Sequence, residues 1–429
     1  MDSFLNEIEK RIMIYDGSKG YLLQKLGLKG GECGEEWNIT KPGTIKEIYR
    51  AYKEAGSDVI QTNTFTGSRV HLEKYGLGDK VYEINYSGAA LAREVMGKDG
   101  FVAASVGPTG ILFEPSGELT FGKSYEIYKE QVKALADGGV DIINFETFTD
   151  LAEMRAALLA AKENTSLPVI CSLAYESNGR TLMGTDPYTA SVVLQSLGAD
   201  MIGTNCSFGA EHMVGIVEQL NEAGGSYLSV KPNAGLPEVV DGKVVYNDSP
   251  EKFAGFAEKF VVYGARLVGG CCGTTPENIK ALKQKLSEMQ PAVVKALQKD
   301  VITSSTKRLA VNGSGPLNIG RLEASDIDEV LDSALDLSAE GYDAIYVNLD
   351  NLGSDTTLLA EAVNIAQGYI REPFIIGTAN PAALEKALRL YKGIAGVVYT
   401  GNEPEGRLET EKAAARYGSV VIESKSLSI

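Results

Sequence analysis

Residues 140–163, VDIINFETFTDLAEMRAALLAAKE, decide the fold. The run from Val140 to Phe145 is apolar and rich in β-branched residues, as a buried strand is. Glu146 ends it, and from Asp150 to Glu163 the apolar positions recur at helical spacing. A strand that passes through a polar turn into a helix is a βα unit, and repeated βα units imply a parallel sheet. Seven further runs repeat the pattern: 11–15, 58–62, 101–106, 168–174, 200–205, 226–231 and 266–270. Eight such units within the first 285 or so residues fit a (β/α)8 barrel, which takes about 250 residues plus insertions. A doubly wound open sheet is the alternative, and the absence of a dinucleotide glycine fingerprint places it second.

The residues just past each strand are Asp16-Gly17, Asn63, Gly107-Pro108, Glu146, Glu176, Cys206, Asn233 and Cys271-Cys272. In a barrel all of these converge on the face where active sites form. Taken singly, Asp16 and Glu146 read equally well as N-caps of the next helix. As a set they surround three cysteines.

Cys271 and Cys272 lie in Gly269-Gly270-Cys271-Cys272-Gly273-Thr274-Thr275-Pro276. Neighbours on a strand point to opposite faces, so a strand could not aim both sulfurs at one atom. A glycine-flanked turn can. Cys206 closes another apolar run. Three thiolates plus an open position suit a catalytic zinc ion, whereas structural zinc sites are usually closed by four ligands. Burial as small hydrophobes is the competing reading, and a glycine-rich turn is poor core packing.

The chain has 429 residues, too many for one ordinary core. Its 57 acidic and 41 basic residues give a net charge of −16, which argues against a nucleic-acid or anionic-membrane surface. Five cysteines in this length are no disulfide framework. No apolar stretch reaches the roughly 18 residues of a membrane span and no signal peptide is evident, so the expected location is the cytoplasm.

Two loops, 108–123 and 177–186, are long for βα connections and fit lids or docking surfaces as well as plain turns. Residues 289–307 read as a polar linker between a first domain, 1–288, and a second, 308–429. Expected strands of the second are 308–312, 343–348, 373–377, 395–399 and 419–423, alternating with helices. Five parallel strands do not close a barrel, so this is an open sheet or one that covers its edges by self-association.

Zinc held by three thiolates is a modest Lewis acid towards water and is better suited to holding another thiol as thiolate near neutral pH. The two histidines, His71 and His212, lack the spacing of a metallopeptidase site. GTNCSFG (203–209) with GGCCGTTPENI (269–279) resembles the zinc signature of homocysteine S-methyltransferases, and the likeness extends through Thr62-Asn63-Thr64-Phe65, Gly107-Pro108-Thr109-Gly110 and Pro232-Asn233-Ala234-Gly235. Within the family it is nearest to the homocysteine-binding barrel of cobalamin-dependent methionine synthases. The resemblance implies Cys206, Cys271 and Cys272 as zinc ligands and Asn233 as a weak oxygen ligand that substrate sulfur displaces. It implies a substrate pocket at Asp16, Gly17, Asn63, Ser105, Gly107, Glu146 and Asn233, with Asp16 and Glu146 on the substrate ammonium and backbone around Gly17 and Ser105–Gly107 on its carboxylate. One departure is Lys19 in Asp16-Gly17-Ser18-Lys19-Gly20, where the family commonly has methionine.

The second domain resembles half of a pterin-binding barrel, around Tyr346-Val347-Asn348 and residues 380–402. Tyr346 and Thr378 stand where the family carries aspartates, so folate binding is not expected. The implied activity is methyl transfer to homocysteine or a close thiol from a methylated corrinoid (cobalamin) on a separate protein, with the second domain serving docking or homodimerisation. A small donor such as S-methylmethionine or betaine, and a non-catalytic zinc scaffold, are the alternatives.

Overall fold

The computed structural model describes residues 3–240, 243–298, 300–311, 316–353 and 355–423. They form two compact units: one of residues 1–111, 122–183 and 199–296, the other of 112–121, 184–198 and 297–429.

The first unit holds an eight-stranded parallel sheet: β1 (Met13–Ile14), β2 (Val59–Gln61), β3 (Phe101–Val106), β4 (Ile142–Phe148), β5 (Val169–Leu173), β6 (Met201–Gly209), β7 (Tyr227–Asn233) and, after a hairpin of β8 (Pro237–Val240) and β9 (Lys243–Tyr246), β10 (Ala265–Val268). The order runs β1-β10-β7-β6-β5-β4-β3-β2. A parallel bridge from Tyr15 to Val59 joins β1 to β2 and brings the sheet round on itself. This is the (β/α)8 barrel expected from the βα repeat.

Alternation along each strand sorts the interior into layers. Met13, Val59, Phe101, Ile142, Ile170 and Met201, each at or near a strand's start, form one buried apolar cluster. Helix Phe4–Lys10 adds Phe4 and Ile8 to it, with the Phe4 ring edge-on to Phe101 at 5.6 Å, and so closes the N-terminal end. Two and four residues further along β4 stand Asn144 and Glu146, both buried. The barrel is therefore oily at the bottom and charged at the mouth.

The second unit contains a five-stranded parallel sheet in sequence order: β13 (Ile319–Leu322), β14 (Ala344–Val347), β15 (Phe374–Thr378), β16 (Gly396–Tyr399) and β17 (Val420–Val421). Its first strand is not the expected 308–312. Arg308–Ala310 instead forms β12, antiparallel to β11 (Val301–Thr303), and residue 312 lies outside the described residues. The intended linker thus contributes a strand. Val301 and Ile302 are buried, with Ile302 packed on Ala344 and Ile375. Burying those side chains outweighs the polar character of the segment around them.

Candidate active site

The three sulfurs come from two strand ends at the mouth of the barrel. β6 runs to Gly209 and carries Cys206, while Cys271 and Cys272 sit in the turn after β10. Cys206 and Ser207 have φ of 60° and 57°, and Thr147 beyond Glu146 has 66°. Non-glycine residues in this region cost of order 1–3 kcal/mol each and persist only where surroundings impose them. At Thr147 Asn205 does so: its Oδ1 accepts from Thr147 N at 2.8 Å and its Nδ2 donates to Thr147 Oγ1 at 2.8 Å, while Ser207 Oγ accepts from Tyr175 N at 2.9 Å. The same Nδ2 reaches Cys271 Sγ at 3.7 Å. On the other side Asn233 Oδ1 accepts from Cys272 N at 3.1 Å, and the Cys271 amide donates to Pro232 O at 2.8 Å. Gly273, with φ of 76°, lies under the Tyr246 ring, which leaves no room for a side chain there.

The three sulfurs lie within 4.8 Å of one another. Cys206 Sγ is 3.8 Å from Cys272 Sγ, far outside the roughly 2.05 Å of a disulfide. Tetrahedral zinc with Zn–S bonds near 2.3 Å would hold its sulfurs about 3.8 Å apart. The donor set and spacing therefore fit a thiophilic dication. The thiols are also proton-retaining as they stand. Cys206 is pushed up to about 11: the Cys271 contact lowers it, and the Cys272 contact and burial outweigh that. Cys271 rises to about 12 through its Cys206 contact and burial. Cys272, lowered by Cys206 but raised by Cys271 and burial, also reaches about 12. Metal uptake would displace these protons.

A cavity of about 410 Å³ opens beside the sulfurs. Its charged floor is a paired network. Glu146 is ion-paired to Lys231 and accepts from Ser105 Oγ and, at 2.7 Å, from Gln61 Nε2. Lys231 also donates to Gln61 Oε1 at 3.0 Å and lies 4.8 Å from the Tyr15 ring centre. Burial works to raise the Glu146 carboxyl, but Lys231 and Ser105 outweigh it and hold it below its usual range. Asp16, wholly buried, accepts from Lys19 Nζ at 2.8 Å and from Gln61 N at 3.0 Å. Burial there prevails over Lys19 and raises the carboxyl.

The pocket thus brings together Gly17, Asn63, Ser105, Glu146 and the three cysteines; Asp16 and Asn233 do not line it, Asp16 being wholly buried against Lys19 and Asn233 bonded to the Cys272 amide. Several of these groups are already occupied. The Ser105 amide donates to Thr62 Oγ1 at 3.0 Å and the Gly107 amide to Phe65 O at 2.9 Å. Gly107 does not line the cavity, and a β-carbon there would lie 2.6 Å from the Phe65 ring. Asn63 Nδ2 ties down Gly34 O and Asn38 Oδ1.

Sequence reasoning passed over Lys231, Gln61, Asn205 and Tyr246. A lysine closing the apolar strand SYLSVK was the visible signal for the first. Two valine pairs around Asp241-Gly242 marked the hairpin that carries Tyr246.

A sequence model described as homocysteine S-methyltransferase matches residues 13–286. Methionine synthase of Mycobacterium tuberculosis (strain ATCC 25618 / H37Rv) is 29% identical over 461 residues, covering 97% of this chain and 38% of that protein. The Mycobacterium leprae (strain TN) methionine synthase is 28% identical with the same coverage. The chain thus spans under two-fifths of the length of these relatives. The metallated homocysteine methyltransferase MmuM from Escherichia coli superposes with a TM-score of 0.56 at 21% identity, over 66% of this chain and 99% of that one. Its apo form gives 0.52. These two likenesses bear on the fold, and the sequence match carries the assignment: the chain belongs to the homocysteine S-methyltransferase family.

Proposed function

We propose that this chain activates the thiol of homocysteine, or of a close analogue, for methylation, using zinc held by Cys206, Cys271 and Cys272. The observation that carries the reading is the 3.8 Å separation of the Cys206 and Cys272 sulfurs on the rim of a charged cavity. Zinc, when bound, supplies a site at which an incoming sulfur is kept as thiolate near neutral pH. The thiol loses its proton, its sulfur forms a bond to the methyl carbon, and the donor–methyl bond breaks with its electron pair remaining on the donor.

The chain's own residues do the positioning. Asn205, next to Cys206, fixes the turn at Thr147 and touches Cys271. Asn233 Oδ1, already accepting from the Cys272 amide, has a second lone pair for a weakly held fourth position. Burial of the floor keeps water from the sulfur and strengthens its electrostatics.

The donor in this reading is a methylated corrinoid. The test is homocysteine consumption by the zinc-loaded chain with a methylcorrinoid protein, with S-methylmethionine and with betaine. Methionine formation with the corrinoid donor alone supports the reading. Turnover with a small donor alone replaces the donor but keeps the thiol chemistry, and no turnover with any donor leaves a zinc scaffold.

A further inference from the structure

Three carboxylates line the cavity, Glu32, Glu35 and Glu146. Glu32 accepts from Lys29 N at 3.0 Å, and Glu35 accepts from Thr66 N at 2.9 Å and Thr66 Oγ1 at 2.6 Å. Glu146 is ion-paired to Lys231, while the wholly buried Asp16 is paired to Lys19. Lys231 is 1% exposed and fully engaged by Glu146, Gln61 and the Tyr15 ring. Lys19 differs. It lines the cavity, its side chain is 11% exposed, and its Nζ donates to Asp16 Oδ2 at 2.8 Å and, at the long distance of 3.4 Å, to Gly17 O. An ammonium has three hydrogens, so the third is left for the cavity. A substrate ammonium reaching for Glu146 or Asp16 would meet a carboxylate already neutralised and a like charge beside it. An anionic group would meet a cation with a donor to spare. The Ser105, Gly107 and Ser18 amides are spent on Thr62, Phe65 and Thr274 and do not compete with Lys19 for it.

We propose that Lys19 is the specificity-determining residue of this pocket and that it selects thiols by an anionic distal group, the amino group being dispensable. This rests on the thiol-activation reading above and deepens it. Lys19 occupies the Asp16 carboxylate from inside and presents its remaining hydrogen to a substrate carboxylate. Asp16 Oδ1, buried and without a hydrogen-bond partner, is the acceptor that a substrate ammonium would have to reach for the opposite preference to hold.

The experiment is calorimetric titration of the zinc-loaded full chain, without any methyl donor, by three thiols. L-homocysteine carries both groups, 4-mercaptobutanoate lacks the amine, and 3-aminopropane-1-thiol lacks the carboxylate. A charge-assisted hydrogen bond is worth about tenfold or more in affinity. The parent should bind 4-mercaptobutanoate within about threefold of homocysteine and the aminothiol about tenfold more weakly. Lys19→Met should lose about tenfold for 4-mercaptobutanoate and gain for the aminothiol, while Lys19→Arg keeps the parent ranking. Zinc content equal to the parent shows that each variant is folded, and the parent's ranking decides alone if one is not. A parent that binds 4-mercaptobutanoate about tenfold more weakly than homocysteine overturns the proposal, as does a Lys19→Met change equal for all three thiols. If no thiol binds the zinc-loaded parent, the thiol-activation reading fails and takes this proposal with it.

Discussion

The Lys231 ammonium is ion-paired to the Glu146 carboxylate on the pocket floor, with side-chain exposures of 1% and 8%. Such a pair adds little net stability against an apolar replacement, but removing one partner strands a buried charge. Lys231→Met should therefore destabilise the fold by roughly 3–5 kcal/mol. Adding Glu146→Gln should recover a large part of that loss. Denaturant unfolding of the single and double variants measures both, and equal stability of the two would show that the pair is not coupled.

The same carboxylate predicts an acid limb. Glu146 is held below its ordinary value of 4.5 by Lys231 and Ser105 against the opposing effect of burial. A lowered folded pKa contributes stability that is complete above the unfolded value and is lost as pH falls through the folded one. Asp16 runs the other way: raised above 3.8 by burial, its contribution is present below that value and is lost as pH rises through the folded one. Unfolding free energy measured below pH 4.5 should fall more steeply for the parent than for Glu146→Gln. Parallel curves would refute the assignment.

Asn205→Ala removes both hydrogen bonds to Thr147 and the contact to Cys271. Loss of an outer partner of a metal ligand typically lowers affinity by about 10–100-fold. Zinc affinity by chelator competition should drop by that order while the three cysteines remain. An unchanged affinity would mean that the three sulfurs hold their places without Asn205.

Much of this architecture is legible from residue order. Val140–Phe145 followed by a helical period gives a βα unit, and eight of them give the barrel and the convergence of Asp16, Glu146 and the cysteines on one face. Partnership is what residue order does not carry. Arg308–Ala310 has a strand's composition, but nothing in it says that it pairs backwards onto Val301–Thr303 rather than opening the parallel sheet. Asp16 and Glu146 are recognisable as mouth carboxylates, yet their neutralisation by Lys19 and Lys231 depends on lysines three positions away on one turn and on a strand 85 residues on. Spent amides, such as those of Ser105 and Gly107, become visible only with coordinates.

At the strand ends of the second sheet, a cavity of about 680 Å³ is lined by Arg321, Glu323, Glu329, Tyr346 and Asn348. Asp350 is turned onto that edge, accepting from Thr378 Oγ1 at 2.6 Å, Ala379 N at 3.0 Å and Thr400 Oγ1 at 2.9 Å. With Tyr346 and Thr378 in place of carboxylates and Asp350 so engaged, methyltetrahydrofolate should give no heat on calorimetric titration. Micromolar binding would contradict this account of the second unit.

The central claim is that Cys206, Cys271 and Cys272 share one zinc ion. Its most direct test is metal content by elemental analysis of the parent and of Cys206→Ala after equal exposure to zinc and dialysis. The account predicts about one zinc per parent chain and less than about a tenth of that in Cys206→Ala, because two thiolates in one turn do not make a catalytic-type site. A parent without zinc, or a Cys206→Ala protein that retains it in full, would contradict the account.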